Sequence, residues 1–509
     1  MCPVSKNGFK IASTAFLIVG MLMALVFIGV PAVQTALRST RETSVFHGIF
    51  TSASVGFVNF TNLFALPSFP AMMENTLVIA AASIGLAMVF AIPAAMIVGG
   101  MQPGRLRSAG AAALLLPAFV PDMVLAFLAM FVLPRQTLAN PQYVRTVIIL
   151  LSAVRLASLC AFVGACAAGS FKDRGKNAML GAFVGVVVGA SVNIVRFLSS
   201  NMELHSILNP SMRQVETFDT AVFQAGLIFM QFDAASATWV FKTALQIVSA
   251  LVVSVVVYLC VKFGIGGQPS HGGLGHDPLQ DDNGDVVRIF PGVIFAVLFI
   301  VCAALPFMYT NAGAPAHLGL WRYAGNSLIM TIGATVLFAG FMFALVAGLA
   351  ANLHKIGVVV LLLLLTAVFN NVLGDFLFHS SLGLLNTYQG MMVFQAFNIT
   401  FALPLAFLVR TKYPAMTTFG GFARALAPYG FVFGGLFVSS AWGNSFAQLV
   451  HVSSQDRFGI SMLVGRSTHS ILYSAQMPLV WMIWWVAPVV LVAVGSVVGF
   501  VMGDKTAQC

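Results

Sequence analysis

Few side chains in this sequence could do chemistry, and most of them sit where ionisation is costly. Arg155 lies about ten residues inside the apolar run around "LLSAVRLASL", and a charge at the centre of a bilayer span costs at least about 2.5–3.5 kcal/mol. Asp122 stands in "PAFVPDMVLAF", Arg196 in "ASVNIVRFLSS", Asn370, Asn371 and Asp375 in "AVFNNVLGDFLF", and Gln395 and Asn398 in "MVFQAFNITF". Groups of this kind inside apolar runs either line a polar path or satisfy one another. For Arg155 both remain open: an ion pair within the bundle, with Asp122 as the partner, or a place on a solute path. Arg196 falls near the outer end of its run and can snorkel to the interface. Asn371 and Asp375 approach the outer end of theirs, where solvent exposure and path lining are equally open. Gln395 and Asn398, at i and i+3, share one helix face. They suit a path for a polar neutral solute, or hydrogen bonds between helices. The sequence holds no G-x-x-x-x-G-K-[ST], H-E-x-x-H or G-x-S-x-G, so it predicts no ATPase or hydrolase site of its own. Cys2, Cys160, Cys166, Cys260, Cys302 and Cys509 show no CxxC and no metal-ligand spacing, and they read as packing residues. No metal or cofactor is predicted.

Composition explains the setting. The chain has 509 residues, 59% hydrophobic and 8% charged, with a mean hydropathy of +0.95. Soluble domains carry about 25% charged residues, so this is the composition of an all-α integral membrane protein. A run of about 20 apolar residues spans the bilayer core as a helix, and about twelve such runs occur. They fall near 11–33, 76–98, 109–133, 145–169, 178–198, 237–262, 289–309, 326–350, 356–375, 390–410, 424–446 and 479–503. The first is too long for a signal peptide and no cleavage site ends it, so it reads as a retained span. An even number of passes puts both termini on one side. Lys and Arg in "QPGRLR", "FKDRGK", "NLHK" and "VRTKYP" place that side in the cytoplasm. The net charge of +10 is then a topology signal, with no basic aromatic cluster to suggest nucleic acid. Trp481, Trp484 and Trp485 read as an interfacial aromatic belt.

Residues 264–288, rich in Gly, Pro, Asp and Asn, read as a polar cytoplasmic linker between 1–263 and 289–509. His271 and His276 within it read as solvated. Each flank carries six predicted spans, TM1–6 and TM7–12. Asn75-Thr76-Leu77 opens the second span of the first, and Asn326-Ser327-Leu328 opens the second span of the other. One marker at one ordinal position predicts two copies in parallel orientation.

"LGLLNTYQGMMVFQAFNITFALPLAFLVR", from Leu382, resembles the segment preceding the coupling loop in maltose-type permeases of ATP-binding-cassette (ABC) importers. "ALAPYGFVFGGLFVSSAWGNSFAQLV", with Trp442 and Asn444, is similar to that family's downstream Trp-Asn segment. "SILNPSMRQVETFDTAVFQAGLIFMQFDAASATWVFKTALQIVSALVV" resembles the C-terminal signature of the sister oligosaccharide permease. The resemblance implies a type I importer permease with two fused halves in a bacterial inner membrane. It implies two copies of a separate ABC ATPase, an extracytoplasmic solute-binding protein, and a sugar or oligosaccharide as cargo. The loops that should engage the ATPase are "GSFKDRGKNAMLG", with Lys172, Asp173, Arg174 and Lys176, and "TKYPAMTTFGGFARALAP", with Lys412, Gly420, Gly421 and Arg424. Neither holds the family's Glu-Ala-Ala or Asp-Gly-Ala, so the loop positions are kept while the motif is lost. Fused thiamine and ferric-iron permeases share the two-half layout. An ion-coupled carrier of twelve helices is the alternative from another class.

Overall fold

A computed structural model describes residues 6–43, 50–102, 104–168, 176–209, 212–266, 288–311, 320–369, 371–412, 418–464 and 477–506. Among the described residues the regular elements are helices, apart from a two-residue parallel pairing of Thr310–Asn311 with Met477–Pro478 and an isolated antiparallel bridge between Arg41 and Ser54. Among the described residues nine helices are long and apolar enough to cross a bilayer, or eleven if two bent pairs each count as one span. The helices that matter below are α1 (Ile11–Arg38), α2 (Phe69–Gly99), α3 (Arg105–Phe119) and α4 (Asp122–Val132), α5 (Pro141–Ala168) and α6 (Lys176–Val195). Then follow α7 (Met202–Leu208), α8 (Phe218–Ile228), α9 (Phe232–Gly266), α10 (Phe290–Met308) and α11 (Leu320–Asn352). The chain continues through α12 (Ile356–Val368), α13 (Val372–Ser381), α14 (Tyr388–Ala396), α15 (Ala402–Lys412), α16 (Phe419–Gly443), α17 (Ser445–His451) and α18 (Leu479–Thr506).

Lipid tails give apolar helices no reason to leave lipid for one another, so close approach through small residues holds the bundle together. Along α2, α5 and α6 that approach is tight. A Cβ at Gly164 would stand 2.6 Å from Val186 Cγ2 and 2.7 Å from Ala95 Cβ. The N-terminal α1 crosses to pack along α11, where a Cβ at Gly348 would lie 2.3 Å from that of Leu17. In the opposite sense α10 packs on α3, while α9 lies along α12 and α18 packs against both α3 and α16.

Three of the twelve expected spans are not continuous. Between α3 and α4 the axis bends by 71° at Val120-Pro121, where proline supplies no amide donor. Between α12 and α13 it bends by 84°. Here Asn371 starts the new helix, its side-chain oxygen accepting from Gly374 N at 3.0 Å. Only glycine fits at 374, since a Cβ would meet Asn371 Nδ2 at 2.3 Å and Thr35 Oγ1 at 2.6 Å. The run at 390–410 is two short helices, α14 and α15, neither long enough to cross alone. Asn398 is the reason: its Oδ1 accepts from Thr400 N at 3.0 Å and from the Thr400 hydroxyl at 2.5 Å, a local turn that competes with the helical ladder.

The tryptophan belt is corrected in part. Trp485 is 0% exposed, packs edge-on to Phe127 at 5.7 Å, and its carbonyl accepts from Trp442 Nε1 at 3.1 Å. It is a core residue. Trp484 pairs with Trp321 at 4.4 Å.

Candidate functional site

The breaks in the helical lattice converge. A cavity of about 440 Å³ is lined by residues flanking each of them: Ala118 and Asp122, Phe369 and Val372, Asn398 and Thr400. The segment after α6 contributes Arg196, Phe197 and Ser199 to Asn201, and the α16–α17 junction contributes Ser440, Ala441 and Asn444. Ile79 and Ser83 on α2, with Ser152 and Arg155 on α5, complete the wall from the middle of long spans. Irregular backbone at membrane depth is tolerated only where it is buried in protein or lines a polar cavity. Broken helices around one chamber are also how transporters build solute sites.

Charges at this chamber are mostly spoken for. Arg155 pairs with Asp122, and its Nη2 reaches Ala118 O at 3.5 Å. Arg196 stacks its guanidinium over the Phe369 ring, 5.2 Å from the centroid, and its buried Nε has no hydrogen-bond partner. Glu203, in the first turn of α7, reaches the start of α17. Its two oxygens accept from Ser445 Oγ at 2.8 Å and Phe446 N at 2.7 Å, so a carboxylate from one short helix caps the other. Behind the wall Lys242 on α9, 1% exposed, pairs with Asp219, 5% exposed. The other Asp219 oxygen accepts from Ser200 N at 2.6 Å. Asp219 therefore ties α8 and α9 to the cavity wall at Ser200.

No protein-family model matches the sequence, and no curated protein matches it. Among solved structures it is similar to a chain in the crystal structure of a bacterial alginate ABC transporter in complex with an alginate pentasaccharide-bound periplasmic protein. That match covers 48% of this chain and 92% of the other, at 17% identity and a TM-score of 0.40.

Of the residues singled out in the sequence, Asp122, Arg155, Asp375, Gln395 and Asn398 line the one cavity, together with Arg196. Asn371 does not. It is buried, and its amide nitrogen donates to Thr35 Oγ1 at 2.8 Å, tying α13 to α1. Asn370 lies outside the described residues. Lys242, Asp219 and Glu203 were not singled out. A lysine inside "WVFKTALQ" was the available signal for the first, since a buried ammonium demands a partner.

The repeated tripeptides have matching work. Asn75 Nδ2 donates to Glu216 O at 3.1 Å, and Thr76 Oγ1 accepts from Phe218 N at 3.3 Å. Asn326 Nδ2 donates to Asp456 O and Phe458 O, both at 2.9 Å, and Ser327 Oγ accepts from Ile460 N at 2.8 Å. Leu77 and Leu328 face outward, away from these bonds. In each case the helix entrance grips a segment well over a hundred residues downstream, through the same two kinds of bond.

The loop residues Lys172, Asp173 and Arg174 lie outside the described residues, and Lys176 opens α6. Lys412 ends α15 with its ammonium 5.9 Å from the Tyr429 ring centroid. Gly420, Gly421 and Arg424 occupy the first turns of α16, where Gly421 N donates to the Thr418 cap at 3.1 Å. Among the described residues no group of three His, Cys, Asp or Glu could hold a metal ion.

Proposed function

We propose that the chain is the transmembrane permease of an ABC importer, with two six-pass halves, 1–263 and 289–509, fused through the linker at 264–288. Its cargo is a sugar or oligosaccharide delivered by an extracytoplasmic binding protein. Two separate ATPase subunits supply the energy, because the sequence has no nucleotide site. The observation that carries the reading is the cavity on which the helix breaks converge, lined by amides, hydroxyls, paired charges and phenyl rings. The family-like segments recognised in the sequence contribute to it directly: Gln395, Asn398 and Thr400 from one, Asn444 and Phe446 from the next. Two further observations support a duplicated architecture. The grips of Asn75-Thr76 and Asn326-Ser327 are alike, and α1 packs on the C-terminal half while α10 packs on the N-terminal half. In this topology both termini, Lys172–Lys176 and Lys412–Arg424 face the cytoplasm of a bacterial cell.

Reconstitution in liposomes with the ATPase and binding protein encoded beside it tests the proposal. A stable complex and sugar uptake that needs ATP are expected. Failure to form any complex, with no ATP-dependent uptake, overturns it. Asp375, a cavity carboxylate with no ion pair among the described residues, favours one other reading, a proton-coupled carrier. Uptake driven by a proton gradient without ATPase subunits would identify that carrier.

A further inference from the structure

Arg196 carries the charge at the cavity that the chain leaves uncancelled. Its Nε is buried without a partner, and its guanidinium makes no hydrogen bond or salt bridge among the described residues. Its neighbour is the Phe369 ring, with the centroid 5.2 Å from Cζ. The other charged groups are engaged elsewhere. Arg155 holds Asp122, and Glu203 is committed to Ser445 and Phe446. Asp219 is the carboxylate whose field reaches Arg196, yet one of its oxygens is held by Lys242 and the other by Ser200 N. Asp375 lines the chamber without a salt bridge to Arg196. A buried carboxyl can shed its charge by taking up a proton, whereas a guanidinium stays protonated in proteins. The balance on the Arg196 wall is therefore positive.

Local geometry adds a second donor. Arg196 N donates to Val192 O at 3.0 Å, so the helical path of α6 runs one residue past Val195. Asn193 and Arg196, at i and i+3, then stand on one face. Both line the cavity, and Asn193 is exposed, its amide free of hydrogen bonds among the described residues. A phenyl ring against one face of a guanidinium leaves the N–H edge open, and that edge matches two oxygens of a carboxylate or phosphate. The Asn193 amide offers further N–H donors beside it. A desolvated cation needs a counter-charge. Since the chain supplies none, it arrives with whatever enters the cavity.

Resting on the permease reading, we infer that Arg196 and Asn193 receive an anionic group of the cargo, a carboxylate or a phosphate, so that the solute carried is acidic. The test is saturation-transfer NMR on the full chain in phosphatidylcholine nanodiscs. Trigalacturonate serves as the carboxylate probe, glucose 6-phosphate as the phosphate probe and maltotriose as the neutral one. At least one acidic probe is expected to bind at least about tenfold more tightly than maltotriose, because a desolvated charge pair is strongly coupled. A preference for one acidic probe over the other supports the inference and identifies the oxyanion. Arg196→Gln removes the advantage over maltotriose, while Arg196→Lys, which keeps the charge but not the fork, restores part of it. Asn193→Ala changes an exposed side chain, so it folds even where Arg196→Gln does not, and it weakens the acidic probe without weakening maltotriose. Acidic probes that bind no more tightly than maltotriose overturn the inference, as does an acidic preference that survives Arg196→Gln with an unchanged unfolding midpoint. Acidic binding that Asn193→Ala leaves unchanged overturns the part given to Asn193. The permease reading is judged separately by ATP-driven uptake, so a failure of one does not pass for a failure of the other.

Discussion

Lys242 and Asp219 give the sharpest quantitative prediction. Both are nearly fully buried, at 1% and 5% exposure, and Asp219 also accepts from Ser200 N at 2.6 Å. Two unit charges about 4 Å apart attract by about 4 kcal/mol at an effective dielectric of about 20. Removing one partner of a buried pair costs about 3–5 kcal/mol, because the other charge is stranded. Lys242→Met is therefore expected to destabilise by about 3–5 kcal/mol. Asp219→Asn costs less than a change to Leu at the same position, since the amide oxygen still accepts from Ser200 N. The double variant Lys242→Met/Asp219→Asn strands no charge and is expected to recover most of the loss, with a coupling energy of about 2–3 kcal/mol between the sites. Unfolding titrated with SDS in mixed micelles measures all four corners of this cycle. Additive losses, or a Lys242→Met variant as stable as the parent, would refute the claim that this buried pair is an interdependent unit.

Three further outcomes follow from the surroundings of single residues. Asn326 makes two amide donations and accepts from Tyr388 Oη at 2.8 Å, while Asn75 makes one donation to a carbonyl and accepts at 3.3 Å from Arg145 Nη1, which Glu74 also holds. Asn326→Leu is therefore expected to cost more stability than Asn75→Leu. Hydrogen exchange should speed up at 458–460 in the first variant and at 216–218 in the second, and exchange that rises equally everywhere would count against paired local grips. Gly164→Val overpacks the meeting of α2, α5 and α6 and should cost at least about 1–3 kcal/mol. By contrast Gly85→Ala, with nothing within 4 Å of the added carbon, should raise the unfolding midpoint slightly.

Much of this architecture is legible in one sequence because a bilayer imposes so simple a rule on composition. Long apolar runs without Asn or paired prolines, such as 237–262, came through as single helices. The runs that contain "PAFVP", "FNN" or "FNIT" did not, for the local chemistry of Pro121, Asn371 and Asn398 outweighs apolar continuity. Arg155 and Asp122 could be offered to each other in advance, as one of two open readings, because each lies alone in an apolar run. Lys242, alone in an apolar run, was as visible as Arg155, but its partner was not, because Asp219 stands among polar residues in the first turn of α8. Glu203 had no local signal at all: its partners lie 242 and 243 residues away, so only the folded chain brings them together. Trp485 was misplaced because tryptophan suits both a lipid interface and a packed core, and sequence distance from a helix end does not separate the two.

The contact between α7 and α17 has a mechanical corollary. A single carboxylate occupies a hydroxyl and a backbone amide of the opposing element, so pulling the two short helices apart orphans all three groups in one movement. Such a joint resists small displacements and yields abruptly. At the cavity lining it behaves as a snap fastener and not as a hinge that drifts.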